Sequence, residues 1–323
     1  MGFRVLGREE VAAALDMRSC VDAVERAFAA FASGRAELPG VIHLEIPEAR
    51  GEIHVKAGHL HGEPRYAVKV ASGFYGLDPP AIDGLVLVFD ARDGSLAALL
   101  ADRGLLTDVR TGAAGGVAAR HLAPERVDTV AVIGTGAQAR YQLDGLAAVR
   151  PGFSLVRVWG RRPERAARCV EDLRARPGLP PGCRYEVAAS VREAVEGADV
   201  VVTCTASREP LVRAEWVRPG ALVTAVGADG PGKRELEPEV LARADLLVVD
   251  SLEQCRRLGE LQHAPELAEA AVELGAICAG RRPGRSSAEQ TIVCDLTGVG
   301  VQDVAAANLV LERAADAGRP VRR

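Results

Sequence analysis

The sequence predicts an α/β protein in which a doubly wound parallel-sheet domain follows a block of shorter, alternating strands. Three observations carry this reading. Val130-Ala-Val-Ile133 is a continuous apolar run that passes straight into Gly134, Gly136 and Ala139, the pattern of a buried strand turning sharply into a helix. Beyond it, apolar strand-like runs alternate with helical periods to about residue 250. Before it, strand patterns follow one another directly, as antiparallel neighbours do.

The elements follow in order. Asp16 to Ser33 carries Val21, Val24, Ala27, Phe28 and Phe31 at helical spacing and predicts an amphipathic helix ending at Gly34. Glu52–Ala57 and Arg65–Val70 alternate as strands. Gly84–Phe89 and Ser95–Leu100 form a hairpin around Arg92-Asp93-Gly94. A helix of small apolar residues runs from Thr107 to His121. Strands are then expected at 127–133, 155–159, 184–188, 199–204, 221–226 and 246–250, with helices at 139–149, 163–174, 190–196 and 237–243. The stretch Arg176–Gly182 is a surface loop. Val301–Ala315 is one more helical pattern, with Val304, Ala307, Leu309 and Val310 apolar.

Length and composition narrow the class. A chain of 323 residues has room for two domains with sizeable cores. No apolar run is long enough to cross a membrane, and residues 1–20 are charged throughout. A net charge of −4 argues against a nucleic-acid partner. Seven scattered cysteines without a C-x-x-C pair suit buried thiols in a reducing cytoplasm and predict no metal site.

The glycine segment has a chemistry of its own. Gly134 permits a tight turn, Gly136 lets the backbone approach a pyrophosphate, and Ala139 lets the helix pack against the strand. The helix start offers unpaired N–H groups to phosphates. An NAD site wants a carboxylate about 20–25 positions beyond the first glycine. Here Trp159-Gly-Arg161-Arg162 stands there, and two arginines suit a 2′-phosphate. The cofactor expected is therefore NADP, with NAD as the alternative.

Three charged clusters need partners. Lys56 and Lys69 sit in apolar strands and either face solvent or serve a site. Arg110, beside Thr111 on a small apolar helix, wants an anion, whether a ligand or an internal partner such as Asp108 or Asp102. Asp229, in Gly227-Ala-Asp-Gly-Pro, follows a predicted strand and is either a helix cap or a proton donor.

Val68-Lys69, Leu106-Thr-Asp-Val-Arg-Thr111, Ala119-Arg-His-Leu-Ala123, Val132-Ile-Gly-Thr-Gly-Ala-Gln-Ala139, Val158-Trp-Gly-Arg-Arg162, Gly227-Ala-Asp-Gly-Pro-Gly-Lys-Arg-Glu-Leu236, Gly259-Glu-Leu261 and Asp295-Leu-Thr-Gly298 together resemble the ornithine cyclodeaminase/μ-crystallin family. The resemblance covers nearly the whole chain. It implies a Rossmann domain (123–300) inserted in an α+β substrate-binding and dimerisation domain (1–122 with the C-terminal helix 301–323), and a homodimer. It implies a small amino or imino acid as substrate, oxidised or reduced with NAD(P). It also implies roles. Lys69 and Arg110 resemble the substrate-carboxylate clamp and Asp229 the acid/base residue. Thr111, Gly134, Gly136, Ala137 and Gln138 would contact the cofactor phosphates, and Thr297 and Gly298 would lie near the nicotinamide.

Two departures bear on the substrate. The family often has an arginine soon after a proline where this chain reads Pro39-Gly-Val-Ile-His. Where the cyclodeaminases carry their ornithine-recognising glutamate, this chain offers Lys56 with His54, His59 and His61, and Glu52 nearby. If the strand face of His54 and Lys56 lines the pocket, it repels a cationic side chain and welcomes a second carboxylate; alternatively Lys56 replaces the missing arginine and holds the α-carboxylate, which leaves the side-chain preference open. The expected function is an NAD(P)H-dependent imine reductase or amino-acid dehydrogenase on an α-imino acid, for instance iminosuccinate. The alternatives are a cyclodeaminase-type ammonia lyase and, in another class, a crystallin-like binding protein without catalysis.

Overall fold

The computed structural model describes residues 2–74, 76–77, 81–314 and 318–321. The chain forms two compact units, Met1–Arg110 with Val299–Arg323, and Thr111–Gly298. In chain order the first unit holds β1 (Phe3–Gly7), α1 (Arg8–Ala14), α2 (Met17–Ala32), β2 (Ala36–Glu37), β3 (Ile42–Ile46), β4 (Gly51–Leu60), β5 (Arg65–Phe74), β6 (Ala81–Asp90), β7 (Leu96–Ala101) and the first turns of α3 (Leu105–Leu122). The second unit holds the rest of α3, β8 (Thr129–Ile133), α4 (Gln138–Val149), β9 (Leu155–Trp159), α5 (Pro163–Arg174), β10 (Arg184–Val187), α6 (Val191–Val195), β11 (Val200–Thr203), β12 (Leu222–Ala225), α7 (Pro238–Ala242), β13 (Leu246–Val249), α8 (Leu252–Leu258), β14 (Val272–Glu273), α9 (Leu274–Cys278) and β15 (Ile292–Asp295). Then α10 (Gly300–Arg313) and β16 (Arg319–Val321) return to the first unit. The division of the chain falls inside α3, after Arg110, rather than at the end of that helix.

The first sheet runs β16–β1–β7–β6–β5–β4–β2, with β3 also paired to β4. Every pair is antiparallel except β1 with β7. The register sets Lys56 opposite Lys69 and His54 opposite Ala71. It also sets Val86 opposite Lys69. Directly paired residues share a face, so both lysines and His54 point the same way. That face lies under α10, which packs on β4, β5 and α2. The opposite face carries Val55, Val70, Leu85 and Leu87, all only half-buried, and on β3 Ile42 and Leu44 stand 63% and 55% exposed.

Helix α10 is buried almost all round, from Gly300 to Asn308. Its first turn presses on β4 where two glycines meet. A Cβ on Gly300 would lie 2.2 Å from the Ala57 carbonyl oxygen, and one on Gly58 would lie 3.0 Å from the carbonyl carbon of Gly300. Only glycine allows this approach, and it lowers Gln302 and Asp303 onto the strands that carry the lysines.

The second sheet is parallel throughout, in the order β10–β9–β8–β11–β12–β15–β13–β14. Its central strands are buried on both faces, as a sheet covered by helices requires. The strand order reverses at β8, which has β9 on one side and β11 on the other, so a ligand crevice is expected at their carboxyl ends.

The sequence reading missed β1, α1, β2, β3 and β16 in the first unit, and in the second α8, α9, β14 and β15. These are short elements whose few apolar residues make no clear period. The helix ends at Arg313, and residue 315, the last of the helical pattern, lies outside the described residues; within the span 301–323 given to a C-terminal helix, Arg319–Val321 is instead the strand β16. Among the described residues no helix is long and apolar enough to cross a membrane.

Candidate active site

Four buried charges meet on the covered face of the first sheet. Lys56, Lys69 and Arg110 are 5%, 2% and 4% exposed, and Asp303 is 1% exposed. Asp303 lies between two of the cations: Oδ1 is 2.8 Å from Arg110 Nε and Oδ2 is 3.2 Å from Lys69 Nζ. Arg110 Nη1 also donates to Gln302 Oε1 at 2.6 Å. Burial, with Arg110 and Lys56 close by, pushes the Lys69 ammonium down to about 7, while Asp303 works against that shift. The solvent-facing alternative for the two lysines is therefore excluded. The anion that Arg110 wanted is Asp303, from the far end of the chain. Asp102 instead caps α3, accepting from the amides of Leu106 and Gly104 at 2.6 and 3.2 Å. His54 shares the lysines' face and is 8% exposed, with Glu52 3.6 Å away. His61 lies outside this group, its side chain 45% exposed and paired with Glu37.

In the second unit the glycine loop has the form a dinucleotide requires. Gly134 has φ of +133°, and a Cβ there would lie 2.7 Å from Cys204 Sγ and 2.9 Å from the Cys204 carbonyl oxygen, on β11's side of the crevice. Around Gly136 a Cβ would meet nothing within 4 Å, so the approach is open. Among the described residues nothing accepts from the amides of Gly136 and Ala137, which leaves both donors for phosphate oxygens. Arg140 Nη1 pins the loop by donating to the Thr135 and Gly136 carbonyls, both at 2.8 Å. Gln142 Nε2 donates to Thr111 O at 2.9 Å and to Gln138 Oε1 at 3.2 Å, gathering those two residues at the start of α4. Arg161 and Arg162 are exposed just beyond β9.

These contacts predict different outcomes for the two glycines. Gly134→Ala is strained by about 1–3 kcal/mol and should lower both the melting temperature and dinucleotide affinity. Gly136→Ala has room and should keep stability while losing affinity. Calorimetric titration and thermal unfolding of both variants check this; equal behaviour of the two would contradict it.

Asp229 lies on the loop after β12, its side chain 41% exposed, with Oδ1 2.8 Å from Lys233 Nζ. It caps no helix, since α7 begins only at Pro238. Buried carboxyl groups hold the loops of this sheet edge. Glu235 accepts from the amides of Thr205 and Gly227 at 2.6 and 2.9 Å. Glu260 accepts from those of Glu235 and Leu236 at 2.7 and 3.2 Å. Burial pushes Glu235 and Asp295 up to about 7 and raises Glu260 well above the usual carboxylate range. Asp250 accepts from Thr297 Oγ1 at 2.9 Å and from the Gly298 amide at 2.6 Å. Thr297 and Gly298 are thus held rigidly at the end of β15.

The sequence profile of the ornithine cyclodeaminase/μ-crystallin family matches residues 3–318. The chain belongs to this family. The iminosuccinate reductase of Paracoccus denitrificans is 34% identical over 322 residues, 97% of each chain. Its structure with NAD+ superimposes with a TM-score of 0.86 at 30% identity, covering 100% of both chains. An archaeal alanine dehydrogenase dimer with bound NAD gives a TM-score of 0.89 at 33% identity, over 100% of this chain and 99% of that one. A lysine cyclodeaminase solved for its recognition of L-lysine, L-ornithine and L-2,4-diaminobutyric acid gives 0.86 at 31% identity, over 100% and 96%.

In this member of the family, sequence reasoning missed Asp303, Gln302 and Lys233, and with them the loop-holding carboxyls Glu235, Glu260 and Asp250. One signal was available. Gln302-Asp303 interrupts a Val/Ala-rich helix, just as Lys69 interrupts an apolar strand. A polar pair inside a buried helix asks for partners in the same way.

Proposed function

We propose that this protein is an NAD(P)H-dependent reductase of α-imino acids, working on a dicarboxylic imine such as iminosuccinate. As a member of its family the chain is an enzyme, and the substrate class is what the site must supply. The observation that carries the reading is charge. Lys56, Lys69 and Arg110 bring three basic side chains to one buried face, against the carboxylates of Asp303 and, beside His54, Glu52, so basic side chains are in excess there. A dianion matches that excess and a diamino acid is repelled by it.

In this reading Lys69 and Arg110 hold the α-carboxylate and Lys56 takes the second. Asp229 exchanges the proton at the substrate nitrogen. The dinucleotide supplies the hydride that reaches Cα. Within the second unit Glu235 holds the loop of Asp229 at Gly227 and Asp250 holds Thr297 and Gly298, so these loops need no reorganisation during the reaction. The half-buried apolar face of Val55, Val70, Leu85 and Leu87 supports a homodimer, in which a second copy covers it. The test compares dicarboxylic, neutral and cationic substrates. Fastest net oxidation of NAD(P)H with the dicarboxylic imine is expected. Best activity on a diamino acid, with ammonia released and no net change in nicotinamide absorbance, would turn the assignment to a cyclodeaminase.

We also propose a preference for NADPH. Arg161 and Arg162 stand exposed after β9, in a stretch that offers no carboxylate to a ribose 2′-hydroxyl. The relatives solved with NAD set the contrary precedent. Hydrogen bonds to charged groups contribute roughly 1.5–3 kcal/mol, so about tenfold or more in kcat/KM is expected for NADPH over NADH, lost when both arginines become serine. A wild-type preference for NADH would overturn this.

A further inference from the structure

We propose that Asp303 is the positioning residue of the clamp, a carboxylate delivered by α10 that holds Lys69 and Arg110 in place and keeps Lys69 charged. The inference rests on the reading of Lys69 and Arg110 as the carboxylate clamp. Lys69 is faced by Lys56 from β4, Arg110 from α3 and Asp303 from α10. His54 lies on the same face of β4, and Cys20 of α2 stands beyond Arg110. Among the described residues Asp303 is the carboxylate within ion-pair distance of Lys69 and Arg110, while Glu52 of β4 lies 3.6 Å from His54.

The hold on Arg110 has two points. Asp303 Oδ1 is 2.8 Å from Nε, and the neighbouring Gln302 accepts from Nη1 at 2.6 Å. A guanidinium only donates, so Gln302 must turn its oxygen toward it. The other carboxylate oxygen of Asp303 meets Lys69 at 3.2 Å. The contact of Gly300 with β4 fixes the height of the helix, so the carboxylate cannot drift from its cations.

Without Asp303, three buried cations repel one another. Arginine does not give up its proton, and Lys69 is the most buried of the three, so Lys69 becomes a neutral amine. The clamp then fails at neutral pH and recovers in acid.

The test is the pH dependence of succinate binding, by calorimetry, to the full chain saturated with oxidised dinucleotide. For the wild type, affinity should fall as pH rises through about 7. For Asp303→Asn the same fall should come roughly one unit lower or more, and Asp303→Glu should restore it. An unchanged profile overturns the proposal. So does a loss equal at every pH that Asp303→Glu does not reverse, which is the mark of a packing role. If Asp303→Asn does not fold, Lys69→Met/Asp303→Asn should fold, because it removes both charges; failure of that double variant also overturns the proposal. The probe is not an imine. A shifted succinate profile with no imine turnover would reject the proposed function and leave Asp303 in its role, whereas imine turnover with an unshifted profile would reject Asp303 alone.

Discussion

Asp229→Asn is expected to lower turnover by about 10²- to 10⁴-fold, the range of a general acid/base, with dinucleotide affinity and melting temperature unchanged. The substitution keeps the shape of the side chain and an oxygen for Lys233, and removes only the capacity to exchange a proton. The loop stays in place because Glu235 holds Gly227 through its backbone amide. The next helix starts nine residues on, at Pro238, so no cap is lost. Steady-state kinetics beside thermal unfolding and nucleotide titration check this. An Asp229→Asn enzyme of wild-type rate would reduce the residue to a surface partner of Lys233.

The second large effect belongs to Lys69. Lys69→Ala deletes one charge from a desolvated group and is expected to lower kcat/KM by about two to three orders of magnitude, since such deletions cost roughly 2–5 kcal/mol. Asp303 keeps Arg110 as a partner and is not left alone in the core. Dinucleotide affinity should hold, because the cradle lies in Thr111–Gly298. The wild type should also show a pH signature. Burial, Arg110 and Lys56 lower Lys69 to about 7, so the ammonium that binds a carboxylate is present below that pH and is lost above it. KM should rise through neutrality in the wild type and lose this dependence in Lys69→Ala. For stability the sign is opposite. Between about 7 and 10.5 the unfolded chain binds a proton that the folded chain has released, so this group's contribution to stability rises with pH. Near-wild-type kcat/KM in Lys69→Ala would remove it from the site.

What the sequence determined by itself is what local chemistry decides. The run Val130–Ile133 into Gly134-x-Gly136 specifies strand, turn and helix because the backbone at Gly134 favours glycine, and the structure keeps each of them within two residues of its expected bounds. The alternation of strands and helices after it follows from burial on both sheet faces. Charges in apolar strands announced that Lys56 and Lys69 had unusual surroundings, though the pattern alone left solvent as an equal alternative. Tertiary structure decided the rest. Register set Lys56 opposite Lys69, and register is a property of the pair of strands rather than of either one. The partner of Arg110 proved to be Asp303, almost two hundred residues away, a contact no local spacing encodes. Short elements such as β3 and β15 are held by neighbours already in place, and four or five residues carry too little periodicity to announce themselves. Each of these depends on long-range contacts, which exist only once the chain has folded.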